Sequence, residues 1–278
     1  MSSIAVAGNA SGTGVLTVSS PNTNNNYTLT LPTQTGTLVS GTTTAGVVAP
    51  AGTATLAPVL LTSGTNLTTA TAGAIEYDGK VVYGTPQPEA VSARGALRGI
   101  IPTQQYYRLN ADLALSSSAS ALNPFGVSCT LAASTVYEFE IVFALSRIAG
   151  AVSHTVSINF TGGTATLNNI AYFAQGYFNA SASVINTYQL FGASASGIFS
   201  GVVSTSASTA VTTANTSANE VISLTLKGTV SVNAAGTFFP QYICSAAPGG
   251  GFTTVAGSYI KINPLSASGA ATNVGTWA

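Results

Sequence analysis

The plainest signal in the chain is an alternation of apolar and polar residues with period two. Between Val136 and Leu145, Tyr137, Phe139, Ile141, Phe143 and Leu145 fall on one face, opposed by Glu138, Glu140, Val142 and Ala144. Between Val152 and Phe160, Val152, His154, Val156, Ile158 and Phe160 share a face against Thr155, Ser157 and Asn159. From Ile222 to Val232, Ile222, Leu224, Leu226, Val230 and Val232 alternate with Ser223, Thr225, Lys227, Thr229 and Ser231. Successive side chains on a strand point to opposite faces, so these runs predict strands with one side in a core. Gly162-Gly163 reads as a hairpin turn after the second run. Phe238 to Cys244 and Ser258 to Ile262 predict the last strands. Helical periodicity is sustained nowhere. About eight strands at this spacing predict an all-β fold, an antiparallel, jelly-roll-like sandwich, over residues 113–278.

The pattern is thinner before this region. In residues 1–40, Val15 to Val18 and Tyr27 to Leu31 read as short strands, separated by the turn cluster Ser19 to Asn26. Each offers only one or two apolar residues per face. Ordering such a segment costs roughly 1–2 kcal/mol of backbone entropy per residue, which one copy cannot offset by burial. It therefore needs a borrowed core, from other copies of itself or from another protein. Residues 41–72 are low in complexity. Pro50 and Pro58 exclude a long helix there, and the segment reads as an extended connector with an apolar patch at Val59, Leu60 and Leu61. Residues 73–112 form a third unit. Asp78-Gly79 lies between two β-prone runs and predicts a two-residue hairpin. A proline-containing loop follows.

Charge sharpens this division. Only 5% of the 278 residues are charged and the net charge is zero. Average soluble domains carry roughly 25%. A surface solvated by hydroxyls and amides suits a chain that packs against its own copies. It gives no electrostatic basis for binding nucleic acid or an acidic membrane. Residues 1–75 have no charge, whereas 76–112 hold Glu76, Asp78, Lys80, Glu89, Arg94, Arg98, Arg108 and Asp112. This crowded stretch reads as a collar between arm and head. No apolar run is long enough to span a membrane, and the start Met-Ser-Ser-Ile-Ala-Val has the features of no signal peptide.

Little chemistry is visible. His154 is the one histidine, in phase with Val156 and Ile158, and reads as a partly buried strand residue rather than a catalyst. Cys129 and Cys244 lack metal-ligand spacing; they could pair only if the fold brings them together, and read more simply as two buried free thiols. Glu138 and Glu140 lie about 7 Å apart on one strand face. They could mimic a glycosidase pair, but read more simply as solvent-facing or cation-binding carboxylates. Gly192 to Gly197 lacks the Gly-x-Ser-x-Gly spacing of a nucleophile elbow. No catalytic residue, metal site or cofactor is expected. A binding surface is the better candidate, with Tyr172, Phe173, Tyr177, Phe178 and Tyr188 near Asn168, Asn169 and Asn179, although most of these rings read as core.

Three stretches carry a family resemblance. Gly14 to Val18, Pro21 to Asn24, Tyr27 to Pro32 and Thr35 to Leu38 together resemble an N-terminal motif of tailed-phage fibre and appendage proteins. Ala72 to Gly79, with Tyr83 and Arg94 to Leu109, resembles the segment before the terminal head of such proteins, and Ala256 to Ile262 is similar to their last strand. The resemblance implies an intertwined homotrimer with a slender stalk and a compact β head, located in the virion and assembled in the host cytoplasm. It implies attachment to other virion proteins through Val15, Leu16, Val18, Tyr27, Leu29 and Leu31, and register-setting contacts between subunits through Arg94, Arg98, Arg108, Glu76 and Asp78. Two positions fit. A short tail fibre would offer its head to a host surface glycan or protein. A capsid decoration or head-fibre protein would bind and stabilise the shell. A glycan-cleaving tailspike would need a long β-helix and a carboxylate-rich groove, and the sequence has neither.

Overall fold

The computed structural model describes residues 51–86, 98–179, 196–267 and 273–274. The proposed attachment residues in 1–40, Arg94 and Tyr188 lie outside these. Among the described residues there is no helix, and every strand pair is antiparallel. Residues 51–59 belong to a first compact unit and 60–278 to a second. Within the first, Thr53 accepts a hydrogen bond from the Leu56 amide at 3.1 Å, closing a small turn. Leu56 and Val59 are exposed there, and in the second unit so are Leu60, Leu61 and Leu67.

The collar is a small sheet of three strands, β1 (Ile75–Tyr77), β2 (Val82–Gly84) and β3 (Gly99–Ile101). The expected hairpin at Asp78-Gly79 forms, but Tyr77 pairs with Val82, so its loop has four residues rather than two. The reason is the Asp78 side chain. Its Oδ1 accepts from the amides of Lys80 and Val81, both at 2.8 Å, which builds a wider loop around the carboxylate. Gly79 takes φ 94° at the tip.

The remaining strands are β4 (Gln105–Arg108), β5 (Leu113–Ala114), β6 (Cys129–Leu131), β7 (Thr135–Arg147), β8 (Val156–Asn159), β9 (Thr166–Asn179), β10 (Ser196–Val203), β11 (Thr209–Ala210), β12 (Glu220–Ala234), β13 (Gly236–Phe238), β14 (Gln241–Cys244), β15 (Thr253–Thr254) and β16 (Tyr259–Ser266). One sheet runs β10-β9-β12-β7, and β7 continues to β15-β5 along one part of its length and to β16-β4 along another. A second sheet has the order β11-β8-β14, and β13 pairs with β6. The long strands are the ones the alternation marks most clearly. Their inward residues Ile141, Leu145, Ile222, Leu226, Val230 and Val232 have no exposed surface.

One core joins the two sheets. Phe139 of the large sheet and Phe160, which follows β8, have ring centroids 5.6 Å apart, and Phe238 of β13 stacks on Phe160 at 5.1 Å. Each such ring contributes roughly 1.5–3 kcal/mol on burial, before any gain from the edge and face contacts. The all-β, sandwich-like architecture is thus present. Further local expectations are corrected. Gly162-Gly163 is not a hairpin, because β8 lies in the small sheet and β9 in the large one. The glycines instead let the crossover lie against the backbone of Thr237 and the side chain of Gln241, where any Cβ would collide. The run Phe238 to Cys244 is not one strand. It breaks at Phe239-Pro240, with β13 pairing β6 and β14 pairing β8. Proline has no N–H to continue a ladder, which fits a change of sheet. Val152, expected inward, is exposed, and Asn159, expected outward, is buried, whereas His154, Val156, Ile158 and Phe160 are inward as predicted.

Candidate functional site

Residues 113–278 contain six charged side chains, and the fold sorts them into two groups. Arg147 and Glu220 are fully buried. Glu138, Glu140, Lys227 and Lys261 share the outer face of the large sheet. Register brings this second group together. Inward residues of β7, β12 and β16 go to the core, so their neighbours in sequence point outward. Lys227 on β12 lies opposite Glu140 on β7, and Lys261 on β16 lies opposite the same glutamate from the other side. Phe173 of β9 is the next partner beyond Lys227, and Tyr106 of β4 the next beyond Lys261. A single transverse row therefore reads Phe173, Lys227, Glu140, Lys261, Tyr106.

Glu140 is the centre of this row. Lys227 Nζ lies 2.9 Å from Oε2 and Lys261 Nζ 3.1 Å from Oε1. The Tyr259 hydroxyl donates to Oε1 as well. That hydrogen bond, and then those from the two lysines, hold the Glu140 carboxyl down to about 2. The same bond pushes the Tyr259 phenol up to about 12, with burial adding to it. Tyr106 stacks on Tyr259 with centroids 5.7 Å apart, and Lys261 Nζ sits 5.1 Å from the centre of the Tyr259 ring. Beside the middle of the row, at Lys227, Glu140 and Lys261, lies a depression of about 510 Å³, lined also by Gln104, Glu138, Thr229 and Asn263, with Tyr106 and Phe173 outside its lining. Gly228 lies at its floor, where a Cβ would strike the Ala171 carbonyl oxygen and Tyr172.

The buried group is built differently. Register places Glu220 opposite Arg147, and a bridge between His154 and Asn215 brings the imidazole in. Glu220 Oε2 accepts from Arg147 Nη2 at 2.8 Å and Nε at 3.2 Å, and lies 3.0 Å from His154 Nε2. Arg147 Nη1 donates to the carbonyls of Ala149 and Gly150, and Nη2 to that of Ser217. All five guanidinium donors are thus used. The Phe252 ring covers it, 5.4 Å from Cζ. His154 Nδ1 is 2.8 Å from the Val152 carbonyl, so both ring nitrogens face oxygen acceptors. These three side chains have no exposed surface, so no external substrate reaches them as they stand. The cluster locks the ends of β7 and β12 to the approach to β8. Sequence reasoning anticipated burial of His154 but missed its partners. The signal was available, because Arg147 continues the odd-numbered core series of β7 and Glu220 the even-numbered series of β12.

Of the expected collar residues, those described make contacts within the chain. Arg98 Nε donates to Glu76 Oε2 at 2.9 Å, and Arg98 Nη2 to the Leu67 carbonyl. Asp78 holds its own loop and accepts from the Tyr83 hydroxyl. Arg108 is exposed and donates to Asn110 at 3.2 Å. Both cysteines are free thiols pushed up to about 11 by burial. Of the aromatic candidates, Tyr172 and Phe178 are core, and Phe173 is exposed. Among the described residues no group of three or more His, Cys, Asp or Glu comes together as a metal site, and no helix is long and apolar enough to cross a membrane. No family model, curated protein or solved structure matches this chain.

Proposed function

We propose that this chain is a non-enzymatic structural protein of a tailed-bacteriophage virion, a trimeric short tail fibre that attaches through residues 1–40 and presents its β sandwich to the host surface. The observation that carries the reading is the contrast along the chain. Leu56, Val59, Leu60, Leu61 and Leu67 stand exposed in one short run, before a sandwich whose inward residues, Ile141, Leu145, Ile222 and Leu226 among them, are fully buried. Exposed apolar residues of this kind call for partners, and copies of the same chain supply them without charge repulsion, since nothing before Glu76 is charged. In the trimer, Arg94 and Arg108 set register with neighbouring chains, while the Arg98–Glu76 pair stiffens each collar. Exposed pairs of that type contribute about 0–1 kcal/mol each and fix geometry more than stability. The sandwich then offers one polar, charge-bearing face outward.

A second reading is a capsid decoration or head-fibre protein, since an arm with no core of its own can borrow one from shell subunits as well as from a tail. It would place the same arm on the shell. Antibody against the sandwich, imaged on whole virions in negative stain, separates the two. Label at the tail is the expected result. Label distributed over the shell overturns the fibre reading.

A further inference from the structure

The row on the outer face has the makings of a binding site that the arrangement of the virion does not itself require. We infer that Lys227, Lys261 and Tyr106, organised around Glu140, bind an acidic saccharide, one that carries carboxylates on its rings. The inference relies on the host-surface reading only for where such a saccharide comes from.

Four observations support it. The first is placement. In a region of hydroxyls and amides, all the surface charge of residues 113–278 is gathered on one face of one sheet. The second is the balance of donors and acceptors. Both Glu140 oxygens are taken, Oε1 by Tyr259 and Lys261 and Oε2 by Lys227. Each ammonium has three donors and spends one on Glu140. The centre of the row thus offers spare N–H donors, and no acceptor that is not already bonded. The four charges lining the depression balance, Lys227 and Lys261 against Glu138 and Glu140, so the draw on a carboxylate comes from the unspent N–H donors of the two ammoniums rather than from a net charge. Lys227 is 60% exposed and free to reach a carboxylate.

The third observation is the aromatic platform. Tyr106 is 53% exposed and lies flat on Tyr259, with an interplanar angle of 27°. Phe173 is exposed at the other end of the row. A ring face with cations beside it accepts the C–H face of a pyranose while its carboxylate meets the ammonium. The fourth is shape. A depression of about 510 Å³ lies within the roughly 300–1,000 Å³ of small-ligand sites, and its amide and hydroxyl lining, Gln104, Thr229 and Asn263, suits sugar hydroxyls. Glu140 is a positioning residue in this scheme. It holds the two ammoniums apart and in place.

The test is calorimetric titration of the full chain with an oligogalacturonate, beside a neutral malto-oligosaccharide and an oligoglutamate of matched charge. Binding of the oligogalacturonate alone, weakened by added salt, is expected. Lys227→Ala and Lys261→Ala should each weaken it about tenfold. Tyr106→Ala should do the same, while Lys227→Arg keeps most of the affinity and Lys80→Ala, in the collar, keeps all of it. These side chains are outside the core, and an unchanged melting curve shows that each variant is folded. No binding of oligogalacturonate by the folded chain overturns the inference. Equal binding of the neutral oligosaccharide, or of oligoglutamate, overturns the acidic or the saccharide part respectively. The outcome is separate from the virion labelling. Binding by a chain found on the shell leaves the site standing and removes the fibre reading, and absence of binding by a tail-located chain does the reverse.

Discussion

Glu220→Gln should be among the most damaging near-isosteric changes in the protein. The substitution keeps shape and removes one charge. Glu220 is fully buried, and its Oε2 receives Arg147 through two N–H groups and faces His154. Breaking a buried pair by neutralising one partner costs about 3–5 kcal/mol, because the other charge stays uncompensated. The lower part of that range applies here, since a glutamine carbonyl can still accept from Arg147. Against a domain stability of roughly 5–15 kcal/mol this is a large fraction. With a urea slope of about 2 kcal/mol per molar, the unfolding midpoint of the full chain should fall by on the order of 1.5 M. Arg147→Met should cost more. It leaves Glu220 with His154 as its one remaining side-chain partner and strips the carbonyls of Ala149, Gly150 and Ser217 of their donor, at about 1–3 kcal/mol for each group left buried and unbonded. The order is therefore the sharper test. Urea unfolding followed by intrinsic fluorescence measures both. A Glu220→Gln midpoint within about 0.3 M of the parent, or a larger loss than Arg147→Met shows, refutes the account of the cluster as a buried lock with Arg147 as its hub.

The other predictions are more local. Gly228→Ala should destabilise by about 1–3 kcal/mol in the same assay, because the added Cβ meets backbone of β9 rather than a side chain that can move; an unchanged midpoint would contradict the close approach of β12 and β9. The Glu140 carboxyl, followed by carbon-13 NMR, should titrate near 2. Its folded value is depressed, so its stabilising contribution is complete above the ordinary value of 4.5 and is lost as pH falls toward 2. Tyr259→Phe should move that midpoint upward, and a midpoint already at the ordinary value in the parent protein would refute the row's geometry. Both thiols should be nearly inert to Ellman's reagent at neutral pH and react on unfolding, since values of about 11 leave little thiolate; fast reaction of the folded chain would show the burial to be wrong. Sedimentation of the full chain should give a trimer, and a stable monomer at micromolar concentration would count against the borrowed core.

How far the fold could be read beforehand depends on which contacts set each element. Strands β7 and β12 were legible because a core face in a strand leaves period two in the sequence whatever its partner is. Most of the corrections concern which segments meet. Two glycines look the same whether they return a strand to its neighbour or carry it to the opposite sheet, and only the pairing of β8 with β11 and β14 decides. Proline at position 240 could have ended the run from Phe238 to Cys244, yet the apolar residues on both sides mask the break. The loop at Asp78 was misjudged in length because its size is set by a side chain capping two amides, not by the Asp-Gly pair alone. The candidate site was illegible for the same reason. Glu140, Lys227, Lys261 and Tyr106 come from four strands, and their meeting is a matter of register.

The two charge clusters answer one question in opposite ways. A chain that can stay soluble on hydroxyls and amides has no general need for ions, so each ion that remains should have a local cause. Arg147 and Glu220 sit in core phase, where an apolar residue would pack at lower desolvation cost. What they add is directional. Five donors fix the end of β7 to β12 and to two loops at once, which a leucine could not do. Glu140, Lys227 and Lys261 do nothing for the core, which is complete beneath them in Phe139, Ile141, Leu226 and Ile260. Water screens their mutual attraction, so the depressed Glu140 carboxyl accounts for only part of why these ions stand together. A row held in register by four strands, on a face the core does not need, is best explained by what approaches it from solvent.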